Sequence, residues 1–382
     1  MKDSPITYGV VKPGDTGDVP FIRGGDIVDG CIRSEQLRTI TEEVSRQYRR
    51  TLLRGGELLM CLVGQPGQVA VAPLALAGAN IARQVGLIRL RPEIDAEFAS
   101  YFFQSPDGQT SLGTHTDGSV QQVINLGDLR TVEVPLPPLA EQQRIVGIVD
   151  EAFDGIATAK ANAENNLQNA RALFESHLQA VFTQRGSGWA EKRLEQVGNT
   201  QTGSTPRAGE NTHYGKFIAF VKPGDFNADG SLRYDNDGLS ERGLASARRV
   251  AAGSVLMVCI GATIGKCGYC DRDVTTNQQV NALTPADGSS NKFIYYQMLT
   301  DSFQRSVVHS SGQATLPIIN KSKWSALPIW LPPTAAEQNR IADSFDALQA
   351  ETQRLESLYQ QKLTTLDALK KSLLHQAFSG AL

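Results

Sequence analysis

The chain has 382 residues, of which 41% are hydrophobic and 20% charged, and carries a formal net charge of −3. That length exceeds one ordinary core and implies two or three domains. No apolar run approaches the roughly 18 residues that cross a bilayer, and the opening "MKDSPITYGVVKPG" has no apolar leader segment, so a cytoplasmic protein without a membrane partner is expected. The five cysteines are odd in number and irregularly spaced, and read as reduced thiols. Overall charge neither suggests nor excludes nucleic acid. Only residues 186–330 lean basic, with 15 Lys and Arg against 12 Asp and Glu, so a DNA site would have to come from local clustering.

From the N-terminus, "ELLMCLVG" (57–64) and "QVGLIRL" (84–90) have strand length and are bounded by turn residues, while "AEFASYFFQS" (96–105) reads as a helix. A proline-free stretch, 139–182, then reads as one long helix. The sequence continues with strands "FIAFVKPGD" (217–225) and "SVLMVCIG" (254–261), a helix "KFIYYQMLTD" (292–301), and a second proline-free stretch, 336–378. Helical pieces among short strands make the globular parts α+β.

The second half repeats the first. "PLPPLAEQQRI" (135–145) returns as "LPPTAAEQNRI" (331–341), aligning Glu141 with Glu337, Gln142 with Gln338 and Ile145 with Ile341. The match runs without a gap to Phe182 and Phe378. Upstream, "GGELLMCLVGQPGQ" (55–68) answers "AGSVLMVCIGATIGK" (252–266), and "RQVGLIRLRP" (83–92) answers "QQVNALTP" (278–285). The reading is module, long helix, module, long helix, with boundaries at 1–138, 139–185, 186–333 and 334–382.

The Pro-Pro pair cannot lie inside a helix and holds a stiff, extended approach. Glu141 or Glu337 then suits the first helical turn. The phrase is therefore a rigid joint between module and rod, although structural punctuation alone would also account for it. In the second rod Ile341, Phe345, Leu348, Thr352, Leu355, Tyr359, Lys362, Leu366, Leu369 and Leu373 keep 4-3 spacing, as a coiled-coil seam does. The first rod in the same register gives Ile145, Val149, Ala152, Ile156, Ala159, Ala163, Asn166, Ala170, Leu173 and His177. The two are expected to pair over roughly 60 Å. Asn166 and Lys362 hold equivalent places and would fix register if buried; the alternative leaves both facing water.

Signatures of catalysis are weak. "GATIGKC" (261–267) has the wrong glycine spacing for a P-loop and reads as a tight strand turn. "CGYC" (267–270) lacks a second ligand pair, so structural cysteines are favoured over zinc and no metal is expected. The five histidines are scattered. A binder is favoured, with two alternatives kept open: a stand-alone nuclease or methyltransferase, and a coiled-coil adaptor without DNA contact.

Candidate DNA-binding residues recur at matching places. "SRQYRRTLLR" (45–54) carries Arg46, Arg49 and Arg50, and "ERGLASARR" (241–249) carries Arg242, Arg248 and Arg249. Such arginines neutralise phosphates or read guanine. Arg83–Gln84 and Gln278–Gln279 are equivalent pairs, and glutamine can bond adenine bidentately. The loops "TQTGSTPR" (200–207) and "SSGQATLP" (310–317) offer Thr202, Ser204, Arg207 and Gln313 to phosphate oxygens. Each alone also fits a solvated surface.

Two modules, each closed by an LPP…EQ…RI joint and a long helix, together with the opening "GWAEKRLEQVGNTQTGSTPR", resemble the specificity subunits of type I restriction–modification enzymes. The resemblance covers essentially the whole chain. It implies two target recognition domains that each read half of a split DNA site, with the two helices, paired as an antiparallel coiled coil, as a ruler for the spacer. It further implies a non-catalytic subunit without cofactor of its own, whose partners are double-stranded DNA, modification subunits and a restriction subunit. The first module departs from the pattern, because it starts at "ITYGVVKPG" and lacks a counterpart of "GWAEKRLEQVG".

Overall fold

The computed structural model describes residues 6–113, 116–117, 123–207, 211–227, 229–312 and 316–382. Two compact units divide the chain. One takes 1–165 with 359–382, the other 166–358. Each long helix, Leu139–Gln184 and Ala335–Ser379, is shared between them. The class is α+β, as expected.

In the first unit one sheet runs Thr7–Tyr8, Val85–Ile88, Leu58–Cys61, Val69–Val71, in that lateral order, and a second runs Arg38–Ile40, Val19–Ile22, Asn80–Ile81. The second unit repeats this plan. Gly198–Thr202, Val280–Pro285, Val255–Val258 and Cys267–Tyr269 form one sheet, while Tyr214–Val221 pairs antiparallel with Gly238–Leu239 and parallel with Val274–Thr276. The parallel pairing has its counterpart in Phe21↔Asn80. The central strands Leu58–Cys61 and Val255–Val258 are buried on both faces, which is why they read as continuous apolar runs rather than alternating ones. "GATIGKC" is the turn between Val255–Val258 and the strand Cys267–Tyr269, with Gly261 and Gly265 at positive φ. The second unit also has a small sheet with no counterpart among the described residues of the first: Ala190–Arg193 antiparallel to Pro328–Leu331.

Two glutamines from the repeated phrase lock each module to its helix. Gln142 Oε1 accepts from the Asp95 amide at 2.8 Å, and its Nε2 donates to the carbonyls of Glu93 and Pro137 at 2.9 and 2.8 Å. Gln338 Oε1 accepts from the Ser290 amide at 2.8 Å, and its Nε2 reaches the Pro332 carbonyl at 3.4 Å. Asp95 and Ser290 are themselves the N-caps of helices Ala96–Gln104 and Asn291–Met298. About two turns further along the rods, Tyr101 donates to Asp150 and Tyr296 donates to Asp346.

The helices pair antiparallel within each unit. Ile145 and Val149 pack with Leu374 and Ala377, and Lys160 pairs with Asp367. In the second unit Arg171 meets Glu356 at 3.1 Å, and Phe182 stacks on Phe345 with centroids 5.8 Å apart. Of the expected seam, Ile145, Val149, Ile156, Ile341 and Phe345 are buried, and Leu348, Leu355, Leu366 and Leu373 partly so.

Four seam positions need correction. Asn166 and Lys362 are exposed, so neither is a buried register pin. Leu173 is 56% exposed and Leu369 44%. Beyond Ala170 the buried stripe of the first helix moves to Phe174, Leu178 and Phe182, because these meet the aromatic core of the second module rather than a bare partner helix. Among the described residues no helix is long and apolar enough to cross a membrane, and none of their His, Cys, Asp and Glu side chains cluster as a metal site.

Candidate nucleic-acid interface

In the second module the strand Gly198–Thr202 ends where Thr202 faces Asn281. The chain then turns across the end of Val274–Thr276. Gly203 N–H donates to the Val280 carbonyl at 3.0 Å and Ser204 N–H to the Thr276 carbonyl at 2.9 Å. A side chain at 203 could not fit, since its Cβ would lie 2.2 Å from both Thr276 Oγ1 and the Asn277 carbonyl.

Next to it Asn277 closes a turn on itself, accepting from Gln279 N–H at 3.1 Å and donating to Gln279 Oε1 at 2.9 Å. That turn holds Gln278 outward, exposed, with its Oε1 bonded by the Thr205 hydroxyl. Arg248 N–H donates to Ser204 Oγ at 3.1 Å, and its guanidinium to the Thr202 carbonyl at 2.8 Å. Thr202, Ser204, Arg248, Gln278 and Gln279, dispersed in sequence, thus meet at one edge. The exposed Arg248 and Gln278 retain donors for a ligand.

The first module builds the same frame with different side chains. Val10 N–H donates to the Ile81 carbonyl at 2.8 Å, as Ser204 does to Thr276. Leu62 N–H donates to the Gln84 carbonyl at 2.7 Å, as Cys259 does to that of Gln279. Arg83 and Gln84 therefore stand where Gln278 and Gln279 do, and both are exposed. They line a cleft of about 620 Å³ together with Arg23, Arg38, Phe21 and Val11. Arg23 is held by Asp26 at 2.8 Å, and the cleft lining contains no acidic side chain.

The other expected residues are distributed differently. Arg46 pairs with Glu42 at 2.7 Å, Arg49 and Arg50 are exposed on the next turn, and none of the three lines the cleft. Arg249 is engaged by Asp273, Arg207 and Arg242 are exposed, and Gln313 lies outside the described residues.

Sequence reading missed Arg23 and Arg38, and in the second module a cleft of about 780 Å³ lined by Arg305, His309 and Lys323. Their basic residues are spread over separate elements, so no local cluster marked them. It also missed a smaller cleft, about 490 Å³, where Lys216, Arg249 and Arg272 surround Phe217, a residue 60% exposed. There Arg272 stacks over Tyr234 at 4.5 Å, and burial pushes the Tyr234 hydroxyl up to about 12.

Four of the five thiols are shielded from solvent. Cys61, Cys259, Cys267 and Cys270 are buried and unpaired; burial pushes Cys270 up to about 11, Cys259 to about 12, and Cys267 higher still. "CGYC" is accordingly part of the core.

Comparison with known proteins agrees with this architecture. The specificity subunit of the type I restriction enzyme EcoBI from Escherichia coli is 34% identical over 196 residues, covering 50% of this chain and 40% of that protein. The HindI specificity subunit from Haemophilus influenzae is 31% identical over 149 residues, covering 38% and 32%. The matched parts thus span two-fifths or less of these relatives' length. Among solved structures, a chain from a type I restriction–modification system, studied for its assembly and conformational transition, superposes with TM-score 0.77 at 19% identity. It covers 98% of this chain and 95% of its own. The HsdS subunit from Thermoanaerobacter tengcongensis gives 0.63, again at 19%, covering 99% and 94%. At such identity the likeness is one of fold. The family described as "Type I restriction modification DNA specificity domain" matches twice, over residues 10–169 and 186–365, and the chain belongs to that family.

Proposed function

We propose that the chain is the non-catalytic, DNA-reading specificity subunit of a type I restriction–modification complex. The observation that carries this is the shared loop frame with different contents. Arg83–Gln84 and Gln278–Gln279 sit on equivalent backbone, so two modules of one design present different hydrogen-bonding edges. In this reading the first module meets one half-site through Arg23, Arg38, Arg83 and Gln84. The second meets the other through Ser204, Arg248 and Gln278. Arg46, Arg49, Arg50, Arg207 and Arg242 contact flanking phosphates, which position a protein without carrying sequence information.

The paired helices set the unread spacer between half-sites, a geometric property of the scaffold, and the complex adds modification and restriction subunits. Long-read methylation mapping of cells carrying the complex tests the reading: a split motif with a fixed spacer is expected, and absence of any split motif overturns it. Deleting one heptad from both helices is expected to change the spacer and leave both half-sites intact.

A further inference from the structure

Arg83–Gln84 and Gln278–Gln279 are the central pairs of two matching four-residue turns. Val85 N–H donates to the Ala82 carbonyl at 2.9 Å, and Val280 N–H to the Asn277 carbonyl at 3.1 Å. The entries match too: Ala82 N–H bonds the Ile22 carbonyl at 2.8 Å and Asn277 N–H that of Val221 at 3.3 Å. What differs is how each side chain is held.

In the second turn Gln279 is occupied internally, its Oε1 accepting from the Asn277 side chain, and it is only partly exposed. Gln278 is exposed, and the Thr205 hydroxyl on its Oε1 fixes the carboxamide. Held so, Gln278 shows the remaining acceptor site of Oε1 beside an N–H donor. In the first turn Ala82 stands where Asn277 does, and Val11 where Thr205 does, so both tethers are absent. Arg83 shows a fork of N–H donors and no acceptor, in a cleft whose lining carries no carboxylate.

Resting on the DNA-reading role above, we propose that the first central residue of each turn selects one base pair at its major-groove edge. Arg83 selects guanine and Gln278 selects adenine.

The match is one of donors and acceptors. Guanine presents two adjacent acceptors, O6 and N7, whereas adenine presents the N7 acceptor beside an N6 donor. The Arg83 fork bonds both guanine acceptors, but against adenine it sets one N–H on another. The Gln278 carboxamide bonds both adenine groups, but against guanine it sets Oε1 on O6. Each such pairing discriminates by roughly five- to 150-fold. Gln279 braces its turn and reads nothing.

The test maps methylation by long-read sequencing for the assembled complex carrying Arg83→Gln or Gln278→Arg, beside the parent. Arg83→Gln is expected to turn one G·C pair of one half-site into A·T. Gln278→Arg is expected to turn one A·T pair of the other half-site into G·C, and both leave the spacer unchanged. An unchanged motif, a change at another kind of pair, or changes by both variants in the same half-site overturns the proposal. Where a variant leaves too little methylation to map, its purified complex is titrated by fluorescence anisotropy against duplexes carrying each base pair at every half-site position. The same switch, by about fivefold or more, is expected there, and no switch overturns the proposal. A parent without any split motif fails the DNA-reading role itself; a split motif that both variants leave alone fails this assignment only.

Discussion

Gln338 accepts from the amide of Ser290, and Ser290 caps the helix whose Tyr296 grips the same rod eight residues further on, at Asp346. The same relationship joins Gln142 to Asp95. The repeated phrase is therefore a hydrogen-bonded socket more than a stiff approach, and the glutamine rather than the preceding glutamate is its working residue. Gln142→Leu leaves the partly buried Asp95 amide unsatisfied and Gln338→Leu the buried Ser290 amide, each costing about 1–3 kcal/mol. Chemical denaturation should show the larger loss for Gln142, which makes three bonds against two.

The helix pair separates core positions from exposed ones. Phe345 is fully buried between Phe182 and Tyr296, with centroids 5.8 and 4.9 Å away, so Phe345→Ala should cost about 3–5 kcal/mol. Lys362→Leu removes an exposed charge and should change stability by less than about 0.5 kcal/mol. Thermal and denaturant unfolding of the two variants side by side measures the contrast.

Arginine contributions should be visible in salt dependence. In the assembled complex, Arg83→Ala and Arg248→Ala should each weaken DNA binding. A variant that loses a phosphate contact should lower the slope of log K against log salt by about 1, and one that loses a base contact should relax specificity at one position. Fluorescence anisotropy titrations across a salt series distinguish these outcomes.

Gly203→Ala should disrupt the second module's edge alone. Its Cβ would stand 2.2 Å from backbone and side-chain oxygens, forcing apart Ser204 and Thr276 and with them the Arg248 contacts. The expected cost is about 1–3 kcal/mol, with sequence preference lost in one half-site and kept in the other, as read by methylation mapping.

Thiol labelling follows burial. Thiolate is the reactive form, and burial raises Cys259, Cys267 and Cys270 well above pH 8, so they stay protonated there. Cys61 is also buried and Cys31 exposed. Maleimide at pH 8 should modify one cysteine in the native chain and all five after denaturation, counted by intact mass.

The repeat, the two rods and the joints were legible because each leaves a periodic or punctuated trace: proline at the joint, 4-3 spacing along the helix, apolar runs in the central strands. The seam beyond Ala170 was not, since Phe174 and Phe182 answer to Tyr296, Trp189 and Phe293, partners far off in sequence. Arg38 and Arg23 escaped for a similar reason. They become neighbours of Arg83 only when Val19–Ile22 is set between its two partner strands.

The frame beneath Arg83–Gln84 and Gln278–Gln279 is fastened at those pairs by main-chain bonds: Val10 to Ile81, Leu62 to Gln84, Ser204 to Thr276, Cys259 to Gln279. Main-chain bonds are indifferent to which side chain the residue bears. One pair can be exchanged for the other, or for a third, without unfastening the loop, and a lineage can rewrite what one module displays while its sibling and the rods stay as they are.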